Sequence, residues 1–198
     1  MLDRNTSPLL VTSRARLRPF RMADADLLFA LDRDPEVMRH ISKGAPTPRE
    51  AIEQKILPGW LDFYRRPRPH GFWAIELLSS GQFVGWVHLR PDRISAPELE
   101  LGYRLVRAVW GQGIATECAR AVIDMAFAEQ ICEFISARTL EKNLGSQRVM
   151  QKCGLSFCEE FSYSLDLLPG WSEDERRAVK YGLSRQAWLS GSIIRPDT

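Results

Sequence analysis

The residues best suited to chemistry lie in one turn, Trp110-Gly111-Gln112-Gly113-Ile114-Ala115-Thr116. Leading into it, Leu99, Leu101, Tyr103 and Leu105 alternate with Glu98, Glu100 and Arg104, the period of a strand with one apolar side. Beyond it, Ala115, Cys118, Ala119, Val122, Ile123, Ala126 and Phe127 fall at three-four spacing and form one apolar helix stripe. A glycine turn that feeds a helix start gathers backbone N–H groups that no helical carbonyl can meet, beside the positive end of the helix dipole. Glycine also lets a ligand approach the backbone closely. The N–H groups of Gln112 to Thr116 are therefore an expected anion cradle, suited to a phosphate. The alternative is a tight turn that binds nothing.

Three phosphate-binding patterns compete for this turn. A P-loop needs Lys-Ser/Thr after its second glycine, and Ile114-Ala115 stand there, which excludes it. A dinucleotide fingerprint wants a third small residue where Thr116 stands, an all-apolar strand before it and an acid closing the next strand. The preceding strand alternates instead, and the nearest acid, Glu133, precedes the next strand. The third pattern is Gln/Arg-x-x-Gly-x-Gly/Ala, and Trp110-Gly111-Gln112-Gly113-Ile114-Ala115 resembles it with Trp110 in first place. That is the acyl-coenzyme A motif of the GNAT-type N-acetyltransferase superfamily, and the tryptophan resembles the Rim-like branch that acetylates ribosomal-protein N-termini. A second segment, Asn143-Leu144-Gly145-Ser146 through Lys152-Cys153-Gly154-Leu155-Ser156-Phe157, is similar to the same superfamily's Asn-x-x-Ser…Lys-x-Gly-Phe signature.

The resemblance implies acetyl transfer from acetyl-CoA to a primary amine, with no metal. The favoured acceptor is a protein N-terminal amine. A small-molecule amine (aminoglycoside, polyamine, amino acid) is the alternative, and a non-catalytic acyl-CoA sensor is the rival of another class. It further implies coenzyme contacts from Trp110, Gly111, Gln112, Gly113, Ile114, Ala115 and Thr116, and a carbonyl-polarising backbone N–H near Leu101 or Gly102. Asn143 is implied as a ligand of the coenzyme arm; helix capping uses the same side chain. Ser146 stands where related enzymes protonate the departing thiolate. The amine must be neutral to attack, and an N-terminal amine titrates at about 8 against about 10.4 for lysine, so lysine costs about 3 kcal/mol more at neutral pH. A mild base relaying through water then suffices, and Glu100, on the polar side of the strand that feeds the turn, is the candidate. Glu159 ranks second. Glu117 is expected to complement the helix dipole; His70 and His88 are candidates for the acceptor site, but as lone histidines without partner patterns they read as structural.

These residues need a scaffold. Arg14 to Arg18 reads as a first strand, followed by a helix at Ala23-Asp24 with Leu27, Leu28 and Leu31 inward, and a second helix capped by Asp34. Thr47-Pro48-Arg49-Glu50 has capping-box spacing, and Pro58-Gly59 should end or kink the helix it opens. Trp60, Phe63, Tyr64 and Arg65, Arg66 and Arg68 fall where the family has one wall of the acceptor cleft; as bare sequence they read as core aromatics and a solvated charge run. Gly71–Leu78 and Gln82–Leu89 form an expected hairpin, and short connections to the Glu98 strand imply an antiparallel meander. The helix after the turn makes Phe134–Thr139 a parallel neighbour by crossover. Phe157, Phe161, Tyr163, Leu165 and Leu167 read as one face of a long strand, partnered by Val179, Tyr181 and Leu183. The expected fold class is α/β (α+β), a GNAT-like mixed, mostly antiparallel sheet with helices on both faces.

The chain of 198 residues suits one domain, with 1–12 as a loosely ordered lead. Hydrophobic residues at 44% and charged residues at 26% fit a soluble globular chain, and a net charge of +2 gives no argument for nucleic acid or membrane. Cys118, Cys132, Cys153 and Cys158 include no CxxC pair and are expected to be reduced core thiols. With no leader pattern at the start, a cytoplasmic protein is expected, and a homodimer is left open as an assembly.

Overall fold

Alternating segments joined by short polar turns pair with their chain neighbours, and that series builds most of this sheet. The computed structural model describes residues 9–65 and 70–191. It divides into two units: the chain up to Arg90 together with Leu101–Ile131, and Pro91–Glu100 together with the chain from Cys132 onward.

The first unit holds β1 (Leu10–Val11), β2 (Ala15–Pro19), β3 (Gly71–Leu77), β4 (Phe83–Pro91) up to Arg90 and the greater part of β5 (Leu99–Leu105). β1, β2, β3 and β4 pair antiparallel in sequence order, with Leu17 opposite Ile75 and Trp73 opposite Val87. Opposed residues share a face. Leu17, Trp73, Ile75 and Val87 are fully buried on one side, toward α5 (Ile114–Ala128), which contacts β2 and buries Cys118, Ala119, Val122, Ile123, Ala126 and Phe127. On the other side Phe72, Ala74 and Trp86 pack with Phe20, Leu28, Leu31, Val37, Ile52 and Leu57. Those partners come largely from α1 (Ala25–Asp32), α2 (Pro35–Ser42) and a longer helical stretch made of α3 (Arg49–Ala51), a π-helical turn (Ile52–Ile56) and α4 (Leu57–Phe63). Trp60 stacks on Phe72 at 4.2 Å, and the Tyr64 hydroxyl accepts from the Phe20 N–H at 2.9 Å and donates to the Phe72 carbonyl, so the aromatics of this wall belong to the core.

In the second unit Leu99 and Glu100 of β5 run parallel to Ile135 and Ser136 of β6 (Phe134–Leu140). β6 pairs antiparallel with β8 (Arg177–Ser184) along its whole length, and β7 (Ser156–Ser162) pairs antiparallel with the far side of β8. α6 (Leu144–Lys152) and α7 (Arg185–Leu189) complete the unit. The strand order is β1-β2-β3-β4-β5-β6-β8-β7, a mixed sheet of eight strands with one parallel pair among the described pairings.

Four local expectations need correction. Thr47 does not cap: Pro48 is the N-cap residue without a side-chain bond, and the Thr47 hydroxyl donates to Asp32 instead. Of the two outcomes expected at Pro58, an end or a kink, the helix does not end but is distorted. Pro58 has no N–H to donate, and the turn before it widens to π geometry, with the Leu57 N–H reaching back to the Ile52 carbonyl. The long strand ends at Ser162, because a bulge at Cys158 breaks the alternation and the Ser164 carbonyl turns the chain by accepting from Leu167 and Leu168. The same bulge leaves Cys158 exposed, while Cys118, Cys132 and Cys153 are buried free thiols. Within the expected lead, Leu10 and Val11 pair with Leu17 and Arg16; residues 1–8 lie outside the described residues, as do Arg66 and Arg68.

Candidate functional site

The chain leaves β5 at Leu105, makes a 3-10 turn over Arg107–Val109 and enters the glycine turn held by its own groups. The Trp110 indole N–H donates to the Leu105 carbonyl at 2.8 Å, and the Gln112 side-chain amide donates to the Ala108 carbonyl at 2.8 Å. Gly111 has φ of +73° and Gly113 +81°, left-handed values that a Cβ makes costly. Gly113 is the N-cap of α5 and supplies no side chain. The first helical bond runs from the Glu117 N–H to the Gly113 carbonyl at 3.0 Å, so the N–H groups ahead of it have no carbonyl within their own helix. Ile114 is 3% exposed and offers backbone only, its side chain anchoring the helix start in the core.

The back of the turn is clamped from the β1–β2 connection, just ahead of β2. Arg14 Nη1 donates to the Gln112 carbonyl at 2.8 Å and Arg14 Nε to Glu117 Oε2 at 2.6 Å. Glu117 Oε1 accepts from the Ser13 hydroxyl and the Arg14 backbone N–H, each at 2.9 Å. Burial alone would raise the Glu117 carboxyl, but bonds from Thr12, Arg14 and Ser13 outweigh it and bring its pKa down to about 2. Upstream on β5, Leu101 is buried, and Gly102 faces the His88 ring so closely that a Cβ would lie 2.6 Å from Cε1. His88 in turn lies against Trp86 and Phe72, with ring centroids at 5.5 and 4.8 Å.

In the second unit Asn143 caps α6, its Oδ1 accepting from the Ser146 N–H at 3.2 Å. The cap brings Asn143 and Ser146 together and uses the amide oxygen, while the Nδ2 group is a separate donor pair. Glu100 is half-buried opposite Ser136, whose hydroxyl donates to Asp92 Oδ2 at 2.8 Å. Arg138, with its side chain 3% exposed, pairs with Asp92 and donates to the Ser95 hydroxyl at 3.0 Å. Burial opposes ionisation of Asp92, yet N–H donors from Ile94 and Ser95 with Arg138 and Ser136 hold its carboxyl below the ordinary value.

Residues 14–156 match the family model described as an acetyltransferase (GNAT) domain. The chain belongs to the GNAT acetyltransferase family. It is 33% identical over 190 residues to the FsC-acetyl coenzyme A-N(2)-transacetylase of Aspergillus fumigatus, covering 92% of this chain and 78% of that protein. Among solved structures it resembles a GNAT-family acetyltransferase from Bacillus anthracis, with a TM-score of 0.73, 19% identity and coverage of 90% of this chain and 99% of that one. It also resembles the ribosomal-protein-S5-alanine acetyltransferase of Vibrio fischeri, with a TM-score of 0.68, 15% identity and coverage of 91% and 98%. These two likenesses concern the fold.

As a GNAT acetyltransferase the chain uses acetyl-CoA as acyl donor. The expected coenzyme residues Leu101, Gly102 and Trp110 to Thr116 fall in the first unit, and Glu100, Asn143 and Ser146 in the second. Glu159 is exposed opposite Lys180 on the bulged strand, and His70 is buried with its ring edge-on to Phe63. No group of three or more His, Cys, Asp or Glu among the described residues is placed to hold a metal ion. No helix among them is long and apolar enough to cross a membrane. Sequence reasoning missed the Arg14–Glu117 clamp and the Asp92–Arg138 pair. A single charged residue, Arg138, inside the FISARTL strand was a usable signal for the second; nothing local marks the first.

Proposed function

We propose that this GNAT acetyltransferase acetylates an amine of α-amino basicity, with a protein N-terminal amine as the favoured acceptor. The observation that carries the donor side is the start of α5, whose N-cap Gly113 brings no side-chain cap bond, behind two left-handed glycines, in a chain whose residues 14–156 match the family. In this reading the N–H groups of Gln112 to Thr116 hold the coenzyme pyrophosphate and Asn143 meets the coenzyme arm. Bound acetyl-CoA supplies an activated thioester. A backbone N–H at Leu101 or Gly102 polarises its carbonyl, and Glu100 takes a proton from the ammonium through water. The neutral amine then forms its bond to the acetyl carbon, the C–S bond breaks, and Ser146 relays a proton to the thiolate while its hydroxyl regains the second amine proton through water. Glu100 releases its proton to solvent.

A second acceptor is favoured by a specific observation. The relative named FsC-acetyl coenzyme A-N(2)-transacetylase, whose name gives an N(2) as the site of transfer, is similar over nearly this whole chain, which keeps an amine other than a protein N-terminus, such as a small-molecule amine, as the second acceptor. Thiol release from acetyl-CoA tests both. A panel of short peptides with free N-termini, the same peptides already acetylated, and amino-acid, polyamine and aminoglycoside amines separates the acceptors. Turnover with free but not blocked peptides establishes the favoured reading; turnover confined to small amines replaces it with the second. Coenzyme binding without turnover on any amine leaves an acyl-CoA sensor and removes the roles given to Glu100 and Ser146.

A further inference from the structure

We propose that Arg14 is a positioning residue for coenzyme A, aiming the Gly113 N–H into the phosphate cradle by gripping the other end of the same peptide group. The proposal rests on the coenzyme reading of the turn given above. In a trans peptide the C=O and N–H point in opposite directions. Arg14 Nη1 holds the Gln112 carbonyl at 2.8 Å, so the N–H of that peptide, which belongs to Gly113, points away from the guanidinium. A phosphate on that side meets a donor.

The grip matters because the turn has an alternative. Gly113, at φ +81°, has the freedom to let the Gln112–Gly113 peptide plane rotate, and rotation exchanges its two ends. The rotated form presents a carbonyl oxygen to the phosphate, a repulsive contact in place of an attractive one. Arg14 also lies against the turn itself: a Cβ on Gly113 would be 3.4 Å from Nη2. Glu117 fixes the guanidinium in turn, accepting from Nε and pairing with Nη2, each at 2.6 Å, while Ser13 and the Arg14 N–H fix Glu117. The carboxylate offsets the charge of the guanidinium, so the pair contributes orientation more than field. A planar fork reaches a carboxylate and a carbonyl at once; a lysine point charge does not reproduce it.

The test titrates coenzyme A into the acceptor-free protein by calorimetry and follows the Gly113 amide resonance by nitrogen-15 correlation spectra. Wild type binds, and the Gly113 amide proton shifts on addition. Arg14→Met weakens coenzyme affinity by about tenfold or more, the scale of losing one well-aimed bond to a charged group. It abolishes the Gly113 shift and leaves the acceptor KM at saturating acetyl-CoA unchanged, a split that general loosening of the fold would not give. Arg14→Lys keeps the charge and fails to rescue. Wild-type affinity in Arg14→Met, or full rescue by lysine, overturns the proposal. If Arg14→Met does not fold, Arg14→Lys decides alone: weaker binding with the Gly113 shift lost upholds it, and wild-type behaviour overturns it. Failure of the wild type to bind coenzyme A is a different result, which removes the coenzyme reading of the turn.

Discussion

Asn143 shows how one side chain serves two roles that separate experimentally. Its oxygen caps α6 by accepting from the Ser146 N–H, and in the proposed reaction its amide N–H groups meet the coenzyme arm. Asn143→Asp keeps the acceptor that the cap needs and removes both donors. The unfolding midpoint should therefore stay near the wild-type value while the KM for acetyl-CoA rises. Asn143→Ala loses both roles and should also cost about 1 kcal/mol of stability. If Asn143→Asp leaves the KM for acetyl-CoA unchanged, Asn143 is a cap and nothing more. Gly102 is a packing constraint of another kind. A Cβ there would lie 2.6 Å from the His88 ring, which Trp86 and Phe72 hold from retreating. Gly102→Ala should cost about 1–3 kcal/mol in denaturant unfolding. Glu117 gives a pH dependence with a definite sign. Its pKa falls from the ordinary 4.5 to about 2 on folding, so its contribution is complete above that ordinary value and is lost as the pH falls toward about 2. The stability gap between wild type and Glu117→Gln should accordingly narrow across that acid range and stay constant above it.

At the scale of elements, Asp92 ties the β4–β5 connection to β6. Its Oδ1 accepts from the Ile94 and Ser95 N–H groups, and its Oδ2 accepts from Ser136 and Arg138. Asp92→Ala strands Arg138 in the interior with no carboxylate, which should cost about 3–5 kcal/mol, whereas Ser136→Ala should cost about 1 kcal/mol. Urea unfolding of the two variants checks the ordering; equal losses would show that the ion pair is not what holds the loop. This pair also marks where sequence reasoning stops. β5 and α5 were legible because each carries a clean two-residue or three-four period, β6 because the helix after the turn implies a crossover to a parallel neighbour, and α2 and α6 because Asp34 and Asn143 cap them as their positions suggest. Thr47 had the spacing of a cap but found a better partner in buried Asp32, a tertiary choice that local spacing does not contain. β7 was misread because a single inserted residue, Cys158, reverses which face each later side chain takes. Within the candidate site the glycine turn and the Asn143 cap were legible as motifs. Arg14 and Glu117 were not, because partners 103 positions apart share no period and no motif.

For the whole molecule, the strongest consequence of the coenzyme reading is thermodynamic. A ligand bound by the folded chain alone stabilises it by mass action, whatever the details of its contacts. The cradle depends on left-handed glycines and on Arg14 brought from the β1–β2 connection, neither of which an unfolded chain maintains, so binding to the unfolded state should be negligible. At a coenzyme A concentration one hundred times its Kd the gain is about 2.7 kcal/mol. For a chain of this size each kcal/mol moves the midpoint by about 2–4 °C, so the expected rise is roughly 5–10 °C. Scanning calorimetry with coenzyme A against adenine and pantetheine fragments measures it. The rise should grow with the logarithm of coenzyme concentration once the site is saturated, and fragments without the pyrophosphate should give little of it, because the cradle binds through phosphate oxygens. An equal rise with the pantetheine fragment alone would move the binding energy away from the glycine turn and count against its assignment as the anchor of the coenzyme.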